Sequence, residues 1–75
     1  MDQTKELKLH VYPHTDGWAI LDENKKNPTL VFRNANEALI EARKMSKNLN
    51  AELIVHNRNG EIQYKQKYEL IKEVA

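Results

Sequence analysis

Three histidines are the main candidates in this chain for metal or proton chemistry. His10 and His14 are four residues apart in an alternating segment, and an extended strand would separate them by about 13 Å. That distance is too large for the two side chains to share one ion. His56 can approach His10 only if their strands are neighbours, and two ligands are fewer than the three or four that zinc takes. We therefore expect no metal and no other cofactor.

The hydroxyl and carboxyl side chains form no recognisable catalytic set. A hydrolase needs a nucleophile beside a base, but Ser46 belongs to the apolar stripe of a predicted helix and Thr15 to a predicted turn. Neither has an obvious imidazole partner. Asp22 and Glu23 are adjacent, so on a strand they would point to opposite faces and could not flank one bond. There is no cysteine, and both glycines belong to turns, so we expect a domain without catalytic activity.

The size and charge of the chain limit the remaining classes. Seventy-five residues form one small domain, and 12 basic against 11 acidic residues give a net charge of +1, unlike a polybasic protein or an acidic DNA mimic. The longest apolar run is four residues, where a membrane-spanning helix needs about 20. We expect a cytoplasmic domain over residues 7–66, with a flexible segment over residues 1–6 and a C-terminal tail or short helix over residues 67–75.

The strands are predicted from period-two alternation and from turn residues. The first strand alternates and is expected to end at Pro13, which cannot donate to a ladder. An Asp16-Gly17 turn and an Asn59-Gly60 turn predict two hairpins. The predicted strands cover residues 7–12, 18–22, 29–32, 52–56 and 61–66.

One amphipathic helix is predicted between the third and fourth strands. Asn34 is a strong N-cap residue, and Glu37 stands three positions later, as in a capping box. Asn48 or Asn50 can adopt the left-handed conformation that ends a helix. The buried stripe of this helix is predicted to consist of Ala35, Ala38, Leu39, Ala42, Met45, Ser46 and Leu49.

The order β-β-β-α-β-β predicts an α+β fold in which the helix covers one face of an antiparallel sheet. A two-residue Asn59-Gly60 turn would pair Val55 with Tyr64 and turn both side chains, with Ile62, towards the helix. Trp18 falls on the same side, although a bulged first hairpin would expose it as a stacking platform. The other face is open and is predicted to carry Lys8, His10, Tyr12, Ala19, Leu21, Ile54, His56 and Gln63.

The open face is less polar than a solvated sheet face, and exposed apolar patches usually mark an interface. We predict a non-enzymatic binding module that associates through this face with a protein partner, including a second copy of the chain. The predicted contact residues are His10, Tyr12, Ile54 and His56, with Arg58 at the rim. If His10 and His56 are neighbours, their protonation would weaken binding below about pH 6.

The alternative is weak, salt-sensitive binding to nucleic acid. Sheet aromatics stack on single-stranded bases in several small domains, and Tyr12 or Trp18 could do so here. The basic side chains available for phosphate contacts are Lys8, Lys25, Lys26, Arg33 and Lys65. A net charge of +1 favours protein association over this alternative, because nucleic-acid binders generally carry a basic excess. No feature predicts membrane binding.

The segment over residues 10–20, His-Val-Tyr-Pro-His-Thr-Asp-Gly-Trp-Ala-Ile, resembles the opening of a prokaryotic family of unknown function, the one numbered 2188. Three further segments are similar to that family in order and spacing: Asn-Glu-Ala (36–38), Ala-Glu-Leu-Ile-Val-His (51–56) and Asn-Gly-Glu-Ile (59–62). The resemblance covers roughly residues 7–64. It implies a small bacterial or phage α+β domain without an assigned activity or cofactor, and it gives no guide to the C-terminal segment.

Overall fold

The computed structural model describes residues 7–68, which form a five-stranded sheet with one helix on one face. The elements are β1 (Lys8–His14), β2 (Gly17–Asp22), β3 (Leu30–Phe32), α1 (Ala35–Leu49), β4 (Glu52–His56) and β5 (Ile62–Lys67). The predicted α+β order is confirmed. The predicted flexible segment 1–6 lies outside the described residues, as does the predicted C-terminal tail or helix beyond Tyr68.

The sheet is mixed, so the prediction of an antiparallel sheet is wrong. The strand order is β3-β2-β1-β4-β5, and β1 runs parallel to β4 while the other neighbours are antiparallel. A parallel neighbour requires a long crossover connection, and the chain through β2, β3 and α1 provides it. Alternating hydrophobicity reports which face a strand buries and not which strand lies beside it, so it could not predict this pairing.

The first hairpin turns at Thr15-Asp16 rather than at the predicted Asp16-Gly17, because His14 pairs with Gly17. Pro13 does not end β1 but pairs with Trp18 of β2. The pairing of β1 with β4 stops at Val11, so the missing N–H of Pro13 removes no ladder bond on that side. The helix-facing side of both strands is the predicted one.

The helix α1 begins and ends at two asparagines that the sequence singles out. The Asn34 side chain accepts a hydrogen bond from the Glu37 N–H at 2.9 Å. Asn50 adopts the left-handed conformation (φ 55°, ψ 43°), and its N–H donates to the Ser46 carbonyl. The helix residues that are buried against the sheet are the small ones, namely Ala38, Ala42 and Ser46. These short side chains let the helix lie close to the strands.

The core lies between α1 and the helix-facing side of the sheet. Its buried residues are Leu9, Val11, Ile20, Ala38, Ala42, Ala51, Leu53 and Val55. Trp18, Phe32, Tyr64 and Tyr68 pack against this cluster, so Trp18 belongs to the core and not to the open face. Among residues 7–68, no helix is long and apolar enough to cross a membrane.

The second hairpin differs from its predicted register near the turn. Val55 pairs with Tyr64 as predicted, and Arg43 of α1 donates to the Tyr64 hydroxyl at 3.1 Å. A register irregularity between Val55 and His56 then pairs Ile62 with His56. Ile62 stays 52% exposed and is absent from the core, so its predicted helix-facing position is wrong.

Candidate functional site

The open face of the sheet carries a pocket of about 420 Å³. It is lined by His10, Tyr12, Pro13, Leu21, His56 and Gly60. Its volume lies within the range of small-ligand and side-chain sites. The helix packs on the opposite face, and no second layer covers the pocket within the described part of the chain.

Two histidines on neighbouring parallel strands form one wall of the pocket. His10 pairs with Ile54 in the β1–β4 register, and His56 follows two residues later on the same face. His10 Nδ1 lies 2.9 Å from His56 Nε2, and the two rings meet edge to edge with centroids 5.2 Å apart and 28° between their planes. The sequence allows His56 to approach His10 only if their strands are neighbours, and β1 and β4 are neighbours.

The outer nitrogen of each ring also has a partner. His10 Nε2 lies 2.7 Å from Glu23 Oε1, and His56 Nδ1 lies 3.1 Å from the Gly60 carbonyl oxygen. We call this row of contacts, Glu23–His10–His56–Gly60, the histidine chain. Because all four ring nitrogens face an internal partner, the pair offers ring faces and carbon edges to the pocket. A metal or a hydrogen-bonding ligand would have to displace one of these contacts.

Glu23 supplies the negative charge of the site, and sequence reasoning missed it as a partner of His10. The hydrogen bond with His10 is the main cause that holds the pKa of Glu23 below its usual value, desolvation opposes it, and the nearby Lys8 contributes less. The Glu23 side chain is 49% exposed and that of His10 only 20%, so water screens the attraction. The sequence did contain a signal for this contact, because strand alternation puts Glu23 on the same face as Leu21, the open face that also carries His10.

Three of the predicted contact residues, His10, Tyr12 and His56, line the pocket together. Ile54 is only 4% exposed, so it lies beneath the face between its paired residues on β1 and β5. Arg58 is exposed in the β4–β5 turn and is not part of the lining.

Two lining residues, Pro13 and Gly60, were not predicted. Pro13 lines the pocket from the end of β1, although its register partner Trp18 packs on the helix-facing side. Gly60 joins it because the turn bends back, with the Gly60 N–H donating to the Asn57 carbonyl at 2.9 Å. This approach depends on turn geometry, which residue types alone do not specify.

The candidate phosphate-contacting residues are dispersed over the molecule. Lys8 and Lys65 lie on the open face, where Lys8 pairs with Glu52. The other three candidates, Lys25, Lys26 and Arg33, are exposed in the β2–β3 loop and at the end of β3. Two of the five candidate phosphate-contacting residues therefore share the open face with Tyr12.

The third histidine stands apart from the other two. His14 lies at the end of β1, where its Nδ1 accepts a hydrogen bond from the Asp16 N–H at 3.1 Å. Within residues 7–68, no group of three histidine, cysteine or acidic side chains could hold a metal ion.

Comparison with known proteins gives one match. Residues 9–68 match the model of the family described as "Uncharacterized protein conserved in bacteria (DUF2188)", which spans the helix and nearly all of the sheet. The searches of curated proteins and of solved structures found no match. The resemblance proposed from the sequence motifs is confirmed.

Proposed function

We propose that this chain, which belongs to the DUF2188 family of uncharacterized bacterial proteins, is a non-enzymatic protein-binding module. Its open sheet face associates with a second copy of the chain, and the pocket between His10, Tyr12 and His56 anchors the contact. The observation that carries this proposal is the pocket itself, largely apolar and uncovered within the described residues. The engagement of all four imidazole nitrogens by internal partners supports a binding role over a catalytic one.

Apolar side chains concentrate at one end of the open face, which we call the apolar end. It consists of Tyr12, Leu21, Val31 and Ile62, and Pro13 lines the pocket beside it. Val31 and Ile62 are 42% and 52% exposed. Val31 continues the row of Tyr12 across β2, so this surface extends onto the edge strand β3. An exposed apolar patch of this kind is typical of an interface.

Charge supports a second copy as the partner. The net charge of +1 leaves two copies without strong mutual repulsion. Lys8 and Glu52 of the open face lie at the opposite end from Tyr12, where they need not enter the contact. Glu23 lies beside Lys8 at that end, and Lys65 lies between the two ends on β5. Each copy offers both an aromatic side chain and an open pocket, and a two-fold contact uses the same patch on both partners.

Sedimentation equilibrium at neutral pH, from micromolar to millimolar chain, tests this proposal. We expect the wild-type chain to approach twice its monomer mass. Ile62→Lys, at the apolar end, should weaken association by about tenfold or more, because the contact would desolvate an ammonium group.

Ile40→Lys is the matched control, because Ile40 is 57% exposed but lies on α1, away from the open face. It should associate like the wild type. A wild-type chain that stays monomeric at every concentration would overturn the proposal. Equal weakening by both lysine variants would overturn the assignment to the open face.

Titration with single- and double-stranded oligonucleotides at low and high salt tests whether the open face binds nucleic acid instead of a second copy of the chain. We expect no binding, since only Lys8 and Lys65 of the predicted phosphate contacts share the face of Tyr12. Salt-sensitive binding that Tyr12→Ala abolishes would replace protein association with nucleic-acid binding.

A further inference from the structure

The three contacts of the histidine chain require a definite number of protons. Glu23 Oε1 and the Gly60 carbonyl oxygen accept, so His10 Nε2 and His56 Nδ1 must each carry a proton to hydrogen-bond with them. The central contact, 2.9 Å between His10 Nδ1 and His56 Nε2, needs a third proton. Two neutral imidazoles carry only two N–H groups between them. All three hydrogen bonds therefore form only when the pair holds one proton more than its neutral state.

We propose that His10 and His56 share this third proton, so that the pair carries one positive charge and forms a proton-dependent latch in the pocket wall. The Glu23 carboxylate, 2.7 Å from His10 Nε2, balances the charge. The pKa of Glu23 is held below its usual value mainly by this hydrogen bond, so the third proton resides on the imidazoles rather than on the carboxylate.

Removing or adding a proton opens the latch. When the third proton leaves, one of the three contacts sets two acceptors against each other. When a fourth proton binds, two N–H donors and two positive charges face each other across the central 2.9 Å contact. Two groups in contact titrate as a pair, so the latch is closed within a window of pH and open on both sides. Two histidines without this contact would instead bind their protons independently of each other.

The charged groups around the pair balance one another. They are Lys8 and Tyr12 on β1, Asp22 and Glu23 at the end of β2, Glu52 on β4, Arg58 and Glu61 in the β4–β5 turn, and Lys65 and Lys67 on β5. Besides Tyr12, these groups are four carboxylates and four cations. Glu23, the carboxylate in direct contact, therefore determines the charge that the pair prefers.

The effect of the latch on binding rests on the proposed function, because His10 and His56 form part of the pocket that anchors the second copy. Opening the latch displaces that wall. We expect self-association to be strongest while the latch is closed and to weaken by about tenfold on both sides of that window, the factor that one hydrogen bond to a charged group provides.

Histidine side-chain ¹⁵N NMR on dilute, monomeric protein tests the latch alone. While the latch is closed, we expect protons on His10 Nε2 and His56 Nδ1, with a third proton shared between the rings. His14 is the internal reference for an independent histidine, because its contact is confined to its own turn. Rings of His10 and His56 that each lose a proton independently of the other would overturn the proposal.

Sedimentation equilibrium from about pH 5 to pH 9 then links the latch to binding. A bell-shaped association profile is the expected result. Coupled titration by NMR without association at any pH would overturn the proposed function and leave the latch standing. If the chain associates but the two rings protonate independently of each other, the latch is wrong and the proposed function is still supported.

Glu23→Gln isolates the contribution of the carboxylate, since the amide oxygen still accepts a hydrogen bond from His10 Nε2. Without the balancing charge, the third proton should leave more easily, so the upper edge of the window moves to lower pH. Glu61→Gln is the matched control, because it removes one negative charge from an exposed side chain outside the histidine chain. Equal shifts in both variants would contradict a specific role for Glu23.

Discussion

Gly17 and Gly60 illustrate two different demands on a residue without a side chain. Both have positive φ, +140° at Gly17 and +88° at Gly60. A Cβ at Gly17 would overlap the carbonyl oxygen of Phe32 on β3, whereas a Cβ at Gly60 would meet no atom within 4 Å beyond its own chain neighbours. Gly17 is thus required by backbone conformation and by the approach of β3, and Gly60 by conformation alone.

Alanine substitutions should separate these demands. Gly17→Ala is expected to lower the free energy of unfolding by about 3 kcal/mol, because backbone strain adds to a clash with main chain that cannot rotate away. Gly60→Ala should cost about 1 kcal/mol from strain alone. Urea unfolding monitored by Trp18 fluorescence measures both, and equal losses would show that Phe32 does not restrict Gly17.

Glu23 should make the stability of the fold depend on pH. Its folded pKa lies below the ordinary 4.5, so the ionised form favours the folded state. The sign follows from linkage: this stabilisation is present above the unfolded pKa and is lost as the pH falls through the lower folded value. Exposure of half of the side chain keeps the effect small.

Comparison of the wild type with Glu23→Gln by urea unfolding measures that contribution. The wild type should be the more stable protein near neutral pH, and the difference should shrink to zero in acid. A difference that grows on acidification would contradict the linkage.

At the level of elements, local signals predicted more than long-range ones. The caps at Asn34 and Asn50 defined α1, because a cap depends on neighbours within one turn. The parallel pairing of β1 with β4 depends on contacts distant in sequence, and no local pattern encodes it. Local alternation therefore placed His10 and His56 on the open face. It could not predict their contact, because the contact depends on the pairing of β1 with β4.

The helix also contains a polar group that weakens its packing. Ser46 is fully buried, and its hydroxyl has no hydrogen-bond partner among the described residues. Ser46→Ala should raise the free energy of unfolding by about 1 kcal/mol, because it removes an unsatisfied hydroxyl and improves helix propensity. Urea unfolding that shows Ser46→Ala to be destabilising would contradict this interpretation.

Asn34→Ala should lower the free energy of unfolding by about 1 kcal/mol through loss of the N-cap, and urea unfolding measures this loss.

At the level of the whole molecule, the two faces of the sheet have different roles. The helix-facing side is closed by the core, and the open face carries the pocket and the apolar end. The sheet edges are poor sites for association, since β3 has only three residues and β5 carries Lys65 and Lys67. Within residues 7–68, the open face is therefore the extended apolar surface that we propose for association.

Isotope-filtered NOE measurements on a mixture of labelled and unlabelled chains test the contact between open faces most directly. The predicted result is a set of contacts between copies that connects the Tyr12 ring of one chain with Ile62 and the histidine pair of the other. Contacts between copies that involve Ile40 on α1 instead, or none at millimolar concentration, would contradict the role of the open face.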